Sequence, residues 1–212
     1  MKRILCFGDS NTWGLIANTK KRYDWGVRWT SRLQNAFPGE RVQIIEEGLC
    51  GRTTVFNDDY RVGRAAAGIL PVILESHAPL DHIVLMLGTN DCKSAYGADA
   101  KTIGAGIEVL LQQIRSQLPD VKILLISPIE LGEQVWKKEY DPEFDKHSIE
   151  VSKELPEIYK EIAKRWNIDF LPASAYAEPS AEDMEHMNVI GHKRLADAVI
   201  ERLYPVYGRE AV

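Results

Sequence analysis

The chain has 212 residues, 45% of them hydrophobic and 27% charged, enough for one domain whose core needs no covalent staples. Its net charge of -5 provides no basic footprint for nucleic acid. No apolar stretch approaches a bilayer span, and the run after Met1-Lys2-Arg3 is too short for a secretory leader, so a cytoplasmic protein without membrane contact is predicted.

The first apolar run, residues 3–7, reads as a buried strand that breaks at Gly8-Asp9-Ser10 into a tight turn. A serine hydroxyl therefore stands at the C-terminal end of a central strand, the edge where open α/β sheets bind ligands. Residues 27–37 carry apolar side chains at helical spacing, and 42–45 form a second strand followed by Gly48-Leu49-Cys50-Gly51-Arg52-Thr53-Thr54. A helix over 68–76 leads to a third strand at 83–87, which ends in Gly88-Thr89-Asn90-Asp91. Further on come a helix over 103–118, a strand at 123–126, a helix over 149–166, a short strand at 168–171 and a closing helix over 193–203. Strands alternating with helices imply right-handed crossovers and a parallel sheet covered on both faces. The fold class predicted is α/β, a single-domain, flavodoxin-like three-layer α/β/α sandwich over residues 1–212. Three stretches, 51–64, 128–146 and 172–187, are left irregular. The middle one, with Trp136, Tyr140 and Phe144 among charges, fits either a pocket rim or a subunit contact.

Acyl transfer by serine needs a nucleophile, a base, an acid that orients the base, and donors for the oxyanion. Each can be found at a strand end. Ser10 follows the first strand, the Gly48–Thr54 loop has glycines that let backbone N–H groups approach a ligand, and Asn90 adds an amide. Asp183-Met184-Glu185-His186 lies ahead of the last helix. Taken singly, Ser10 also fits a helix cap, Gly51 a plain turn, and the Asp183–His186 segment a polar surface loop. His192, in Gly191-His192-Lys193-Arg194, competes with His186 but reads as part of a solvated helical face. The cysteines Cys6, Cys50 and Cys92 are odd in number, have no Cys-x-x-Cys spacing, and read as reduced, mostly buried thiols with no zinc site.

Together these segments resemble the sequence blocks of the SGNH hydrolases, or GDSL-type esterases, and the likeness runs from Gly8 to the last helix. Val27-Arg28-Trp29-Thr30, Glu46-Glu47-Gly48-Leu49 with Arg52-Thr53-Thr54, and Pro79-Leu80-Asp81 leading to Met86-Leu87-Gly88-Thr89-Asn90-Asp91 are similar to the bacterial arylesterase and acyltransferase branch. The resemblance implies Ser10 as nucleophile, His186 as base and then acid, and Asp183 as its orienting partner. It implies an oxyanion hole from the Ser10 and Gly51 N–H groups and the Asn90 amide, with no cofactor and no metal. A homo-oligomer is implied as well. The expected activity is hydrolysis of short-chain esters, aryl esters included, with acyl transfer to alcohols as an extension. Carbohydrate O-acetyl esters are an alternative substrate, and a non-catalytic ligand-binding module is the reading from another class. Two features depart from the family's pattern: Asn11 stands where the motif has leucine, and the segment 128–146 has no clear match. Asn11 and Trp13 are expected to shape the acyl pocket.

Overall fold

The computed structural model describes residues 1–37 and 41–208. Its centre is a five-stranded, wholly parallel sheet in the order β2-β1-β3-β4-β5. The strands are β1 (Lys2–Gly8), β2 (Val42–Gly48), β3 (His82–Met86), β4 (Lys122–Ser127) and β5 (Asp169–Pro172). This order is the doubly wound one in which the connections reverse direction at β1 and β3, leaving a crevice at their carboxyl ends. Alternate residues of β1 face opposite layers. Leu5 and Phe7 pack with helices α3 (Ala66–His77), α4 (Ala100–Gln117) and α5 (Lys146–Trp166), whereas Ile4 and Cys6 pack with α2 (Trp29–Ala36) and α6 (Val189–Tyr207). Both faces are covered, which is why the central strands are apolar throughout. None of the described helices is long and apolar enough to cross a membrane.

The elements appear where the periodicity put them, with ends that shift for identifiable reasons. β2 runs on to Gly48, through Glu46 and Glu47, because both carboxylates find partners. Arg28 binds Glu46 at 3.0 and 2.8 Å, with Arg22 at 3.3 Å, and His77 lies 2.9 Å from Glu47. Helix α3 continues through Pro71, which removes the N–H that would have bonded the Ala67 carbonyl. The Gln113 amide of α4 donates to that carbonyl instead, at 2.8 Å. Helix α5 begins at a capping box made by Asp145 and Ser148.

The register decides where the site forms. Gly8 lies level with Gly48 on β2 and with Met86 on β3, so the turns after all three strands leave the same edge at the same height. Gly8 cannot be another residue at this edge, because a Cβ there would meet the Thr12 hydroxyl at 2.1 Å. The close approach brings the first turn after β1 directly onto the sheet edge. That turn is the four-residue helix α1 (Ser10–Trp13), which sequence periodicity is too short to reveal.

Candidate active site

Asp9 is the cap of α1; its Oδ1 accepts the Asn11 N–H at 2.9 Å. Ser10 is thus the first helical residue rather than the cap, and its hydroxyl is free for other work. Although only 3% exposed, it donates to His186 Nε2 at 2.8 Å. His186 Nδ1 in turn lies 2.8 Å from Asp183 Oδ2, in the tautomer that carries its proton on Nδ1. The other Asp183 oxygen accepts the N–H groups of Glu185 and His186 at 3.0 and 2.9 Å. Carboxylate, imidazole and hydroxyl form one unbroken line.

Loop geometry holds that line in place. Ser180 N–H donates to the His186 carbonyl and Met184 N–H to Ser180, while Asn188 caps α6 immediately beyond. Burial alone would push the Asp183 carboxyl up, but the bonds from His186 and the backbone outweigh it and hold the group below the usual carboxylate range. For His186, burial works against the imidazolium, yet Glu185 and Asp183 overcome it and raise the imidazole to about 9. Glu185 itself is pushed up to about 7 by burial.

The donors converge on the same edge. Among the described residues the N–H groups of Ser10 and Gly51 bond no backbone carbonyl, and Gly51 takes a φ of 80° that favours glycine. A Cβ on Gly51 would also strike the Arg61 guanidinium at 2.6 Å. Asn90, in the turn after β3, donates one amide hydrogen to the Arg52 carbonyl at 3.1 Å and keeps its second available. The Gly51 loop is pinned from below. Asp91, fully buried, accepts the Thr54 N–H at 2.9 and 3.1 Å, and Arg52 Nη1 donates to the Gly8 carbonyl at 2.8 Å while lying 4.1 Å over the Phe7 ring. Burial raises the Asp91 carboxyl to about 6.

A cavity of about 390 Å³ opens beside His186, bounded by Leu15, Thr19, Lys20, Tyr140 and Asp141. Tyr140 and Asp141 belong to the segment 128–146, which is therefore a pocket rim; its Gly132 N–H donates to the Met184 carbonyl at 2.8 Å. A larger cavity, about 790 Å³, lies at the opposite edge between Lys2, Leu80, Lys122 and Tyr207, remote from Ser10.

His192 sits differently from the sequence reading, and the structure gives the contacts of Asn11 and Trp13. His192 is not on a solvated face but fully buried, with Nδ1 accepting the Trp29 N–H at 3.4 Å and burial pushing its imidazole down to about 3. It does not reach Ser10. Asn11 is buried and bridges to the base's loop: its Oδ1 accepts Met187 N–H at 2.9 Å and its Nδ2 donates to the Glu185 carbonyl at 3.4 Å. Trp13 is half-buried with the Arg22 guanidinium 5.5 Å over its ring, and it does not line the cavity at His186. Sequence reasoning passed over Glu185 as a side chain, although it lies between two singled-out residues. Arg52 and Asp91 were quoted only as parts of motifs.

The sequence matches the GDSL-like lipase/acylhydrolase family over residues 6–194. The chain belongs to that family. Similar solved structures include the aryl esterase of M. smegmatis, at 29% identity, covering 97% of this chain and 100% of that one with a TM-score of 0.89. A carbohydrate acetylesterase from Sinorhizobium meliloti matches at 31% identity over 98% of this chain and 100% of that one, also with a TM-score of 0.89. A more distant member of the lipolytic G-D-S-L family, from Veillonella parvula, shares the fold at 19% identity, with 99% of this chain and 100% of that one covered and a TM-score of 0.68. No curated protein matches the chain. This GDSL-family member is an enzyme of the esterase and acylhydrolase kind.

Proposed function

We propose that the enzyme hydrolyses short-chain carboxylic esters, aryl esters included, through an acyl-enzyme on Ser10. The observation that carries this reading is the Asp183–His186–Ser10 line, 2.8 Å at each link, beside a cavity of about 390 Å³ that suits a small ester. His186 Nε2 takes the hydroxyl proton as Ser10 Oγ attacks the ester carbonyl. The oxyanion of the tetrahedral intermediate is received by the Ser10 and Gly51 N–H groups and the free hydrogen of Asn90. His186 then returns the proton to the departing alcohol, leaving an acyl ester on Ser10. Water repeats the sequence, frees the acid and restores the serine; an alcohol in its place gives acyl transfer. Asp183 stays ionised throughout and supports the imidazolium. The direct test is labelling with an organophosphate, located by mass spectrometry. Modification of Ser10 with loss of p-nitrophenyl acetate hydrolysis is expected; a protein that binds the ester yet is neither labelled nor turns it over would be the ligand-binding module instead.

Two further outcomes follow from the same chemistry. Asn90→Ala is expected to reduce kcat roughly 10²–10³-fold with KM little altered, as for the loss of one oxyanion donor. A drop of less than about threefold would assign the amide to holding Arg52 alone. Glu185→Gln removes a negative charge that favours the imidazolium, so the neutral base persists to lower pH. The acid limb of kcat/KM is expected to move down in pH, and a limb that stays put would show that Glu185 carries no charge there.

Carbohydrate O-acetyl esters are a second reading, favoured by the polar lining that Lys20, Tyr140 and Asp141 give the cavity. The three free thiols, two of them buried, support a reducing, cytoplasmic setting. Self-association would cover Tyr60 and Val62, which stand 97% and 95% exposed; sedimentation of wild type against a Tyr60→Ser, Val62→Ser variant measures it.

A further inference from the structure

The N–H of Gly51 belongs to a peptide with two ways to face. Arg52 N–H donates to the Leu49 carbonyl at 3.1 Å, which closes a tight turn with Cys50 and Gly51 at its centre. Gly51, at a φ of 80°, gives the turn the positive φ at its third residue that marks type II. The commoner type I turn joins the same ends and differs by a half rotation of the central peptide, here Cys50–Gly51. Glycine accepts either backbone conformation, so the residue itself does not choose. The choice matters, because the carbonyl and N–H of a planar trans peptide point in opposite directions. Rotated, the peptide would turn the Gly51 N–H away from the sheet edge and put the Cys50 oxygen in its place.

Arg64 supplies the choice. Its Nε donates to the Cys50 carbonyl at 3.1 Å, and so grips the peptide on the side opposite the Gly51 N–H. The arginine is itself anchored to this loop. Thr53 N–H donates to the Arg64 carbonyl and Ala66 N–H to the Thr53 carbonyl, both at 3.0 Å, while Arg64 Nη1 donates to the Val62 carbonyl at 3.1 Å. A charged donor on a carbonyl also polarises its peptide and strengthens the N–H at the other end. The loop's other guanidinium behaves differently. Arg61 Nε is bound to Asp58 at 2.7 Å, its Nη atoms lie where a Gly51 Cβ would project, and among the described residues it makes no hydrogen bond to the Cys50 carbonyl.

We propose that Arg64 is a positioning residue that locks the Cys50–Gly51 peptide with its N–H toward the oxyanion, so that this part of the hole stands formed before the ester arrives. The inference rests on the Ser10 esterase reading, with Gly51 as a donor. Acylation and deacylation both pass through an oxyanion, so the lock acts on kcat. The neutral ester gains little from it, and KM is left nearly alone.

The test measures kcat and KM for p-nitrophenyl acetate, and the rate of organophosphate labelling at Ser10, in wild type, Arg64→Ala, Arg64→Lys and Arg61→Ala. Arg64→Ala is expected to lose roughly 10–100-fold in kcat, in line with a hydrogen bond from a charged group, with KM changed less than about threefold and labelling slowed in step. Arg64→Lys keeps a charged donor and is expected to recover most of the loss. Arg61→Ala removes an equal charge from the same loop without freeing the Cys50 carbonyl, and is expected to cost less than about threefold. If Arg64→Ala does not fold, Arg64→Met, which keeps the apolar stem and removes the donor, is read in its place. An Arg64→Ala kcat within about threefold of wild type would overturn the proposal, as would a loss carried by KM alone. Equal losses in Arg61→Ala and Arg64→Ala would also overturn it, by making the effect one of charge without position. Wild-type labelling at Ser10 keeps these failures apart from failure of the serine reading; an unlabelled wild type would overturn both.

Discussion

Ser10→Ala is expected to lower turnover of p-nitrophenyl acetate roughly 10⁴–10⁶-fold while leaving the thermal midpoint close to that of the wild type. Among the described residues the hydroxyl makes one hydrogen bond, to His186 Nε2, so little structure depends on it. Without the oxygen no acyl-enzyme forms, and what persists comes from the oxyanion donors acting on an attacking water. The same logic predicts non-additivity. His186→Ala should be about as slow as Ser10→Ala, and the double variant no slower than either, because the two side chains work as one unit. Steady-state rates across the four proteins decide it. A double variant whose loss is the product of the single losses would mean that the 2.8 Å contact is not the reacting pair.

Asp183→Asn is expected to lose about 10⁴-fold in kcat, less than removal of the nucleophile or the base. The carboxylate accepts from His186 Nδ1 on one oxygen and from two backbone N–H groups on the other. An asparagine keeps an acceptor for the backbone bonds, so its amide nitrogen is left facing Nδ1. The imidazole must then turn its lone pair toward position 183 and its proton toward Ser10, where it can no longer serve as base. Loss of the negative charge also lowers the affinity of the imidazole for a proton, so the residual activity should extend to more acid pH than in the wild type. A variant retaining more than a tenth of wild-type kcat would show that the backbone alone orients His186. Asp183→Ala is less informative, since it also releases the Glu185 and His186 N–H groups that shape the loop.

Much of this arrangement can be read in the chain because the site lies at strand ends, and strand ends announce themselves. Apolar runs stop at Gly8, Gly48 and Gly88, and the polar residues that follow must leave the sheet at one edge. Helical spacing marked α2 through α6, but it could not mark α1, which is a single turn made by a cap and close packing against Gly8. It also could not place His192. A histidine flanked by lysine and arginine looks solvated until the helix phase is known, and here it points inward against Trp29 and Tyr23. The partner of Asn11 was equally hidden, being 176 residues away.

The bond between Asn11 and Met187 has a consequence for how activity is acquired. Nucleophile and base come from opposite ends of the chain, and this clasp ties their two turns together directly. During refolding the parallel strands can pair and the helices can dock while the serine still lacks its base. Restored catalysis should therefore lag behind the recovery of helical circular dichroism and report closure of this contact across 176 residues.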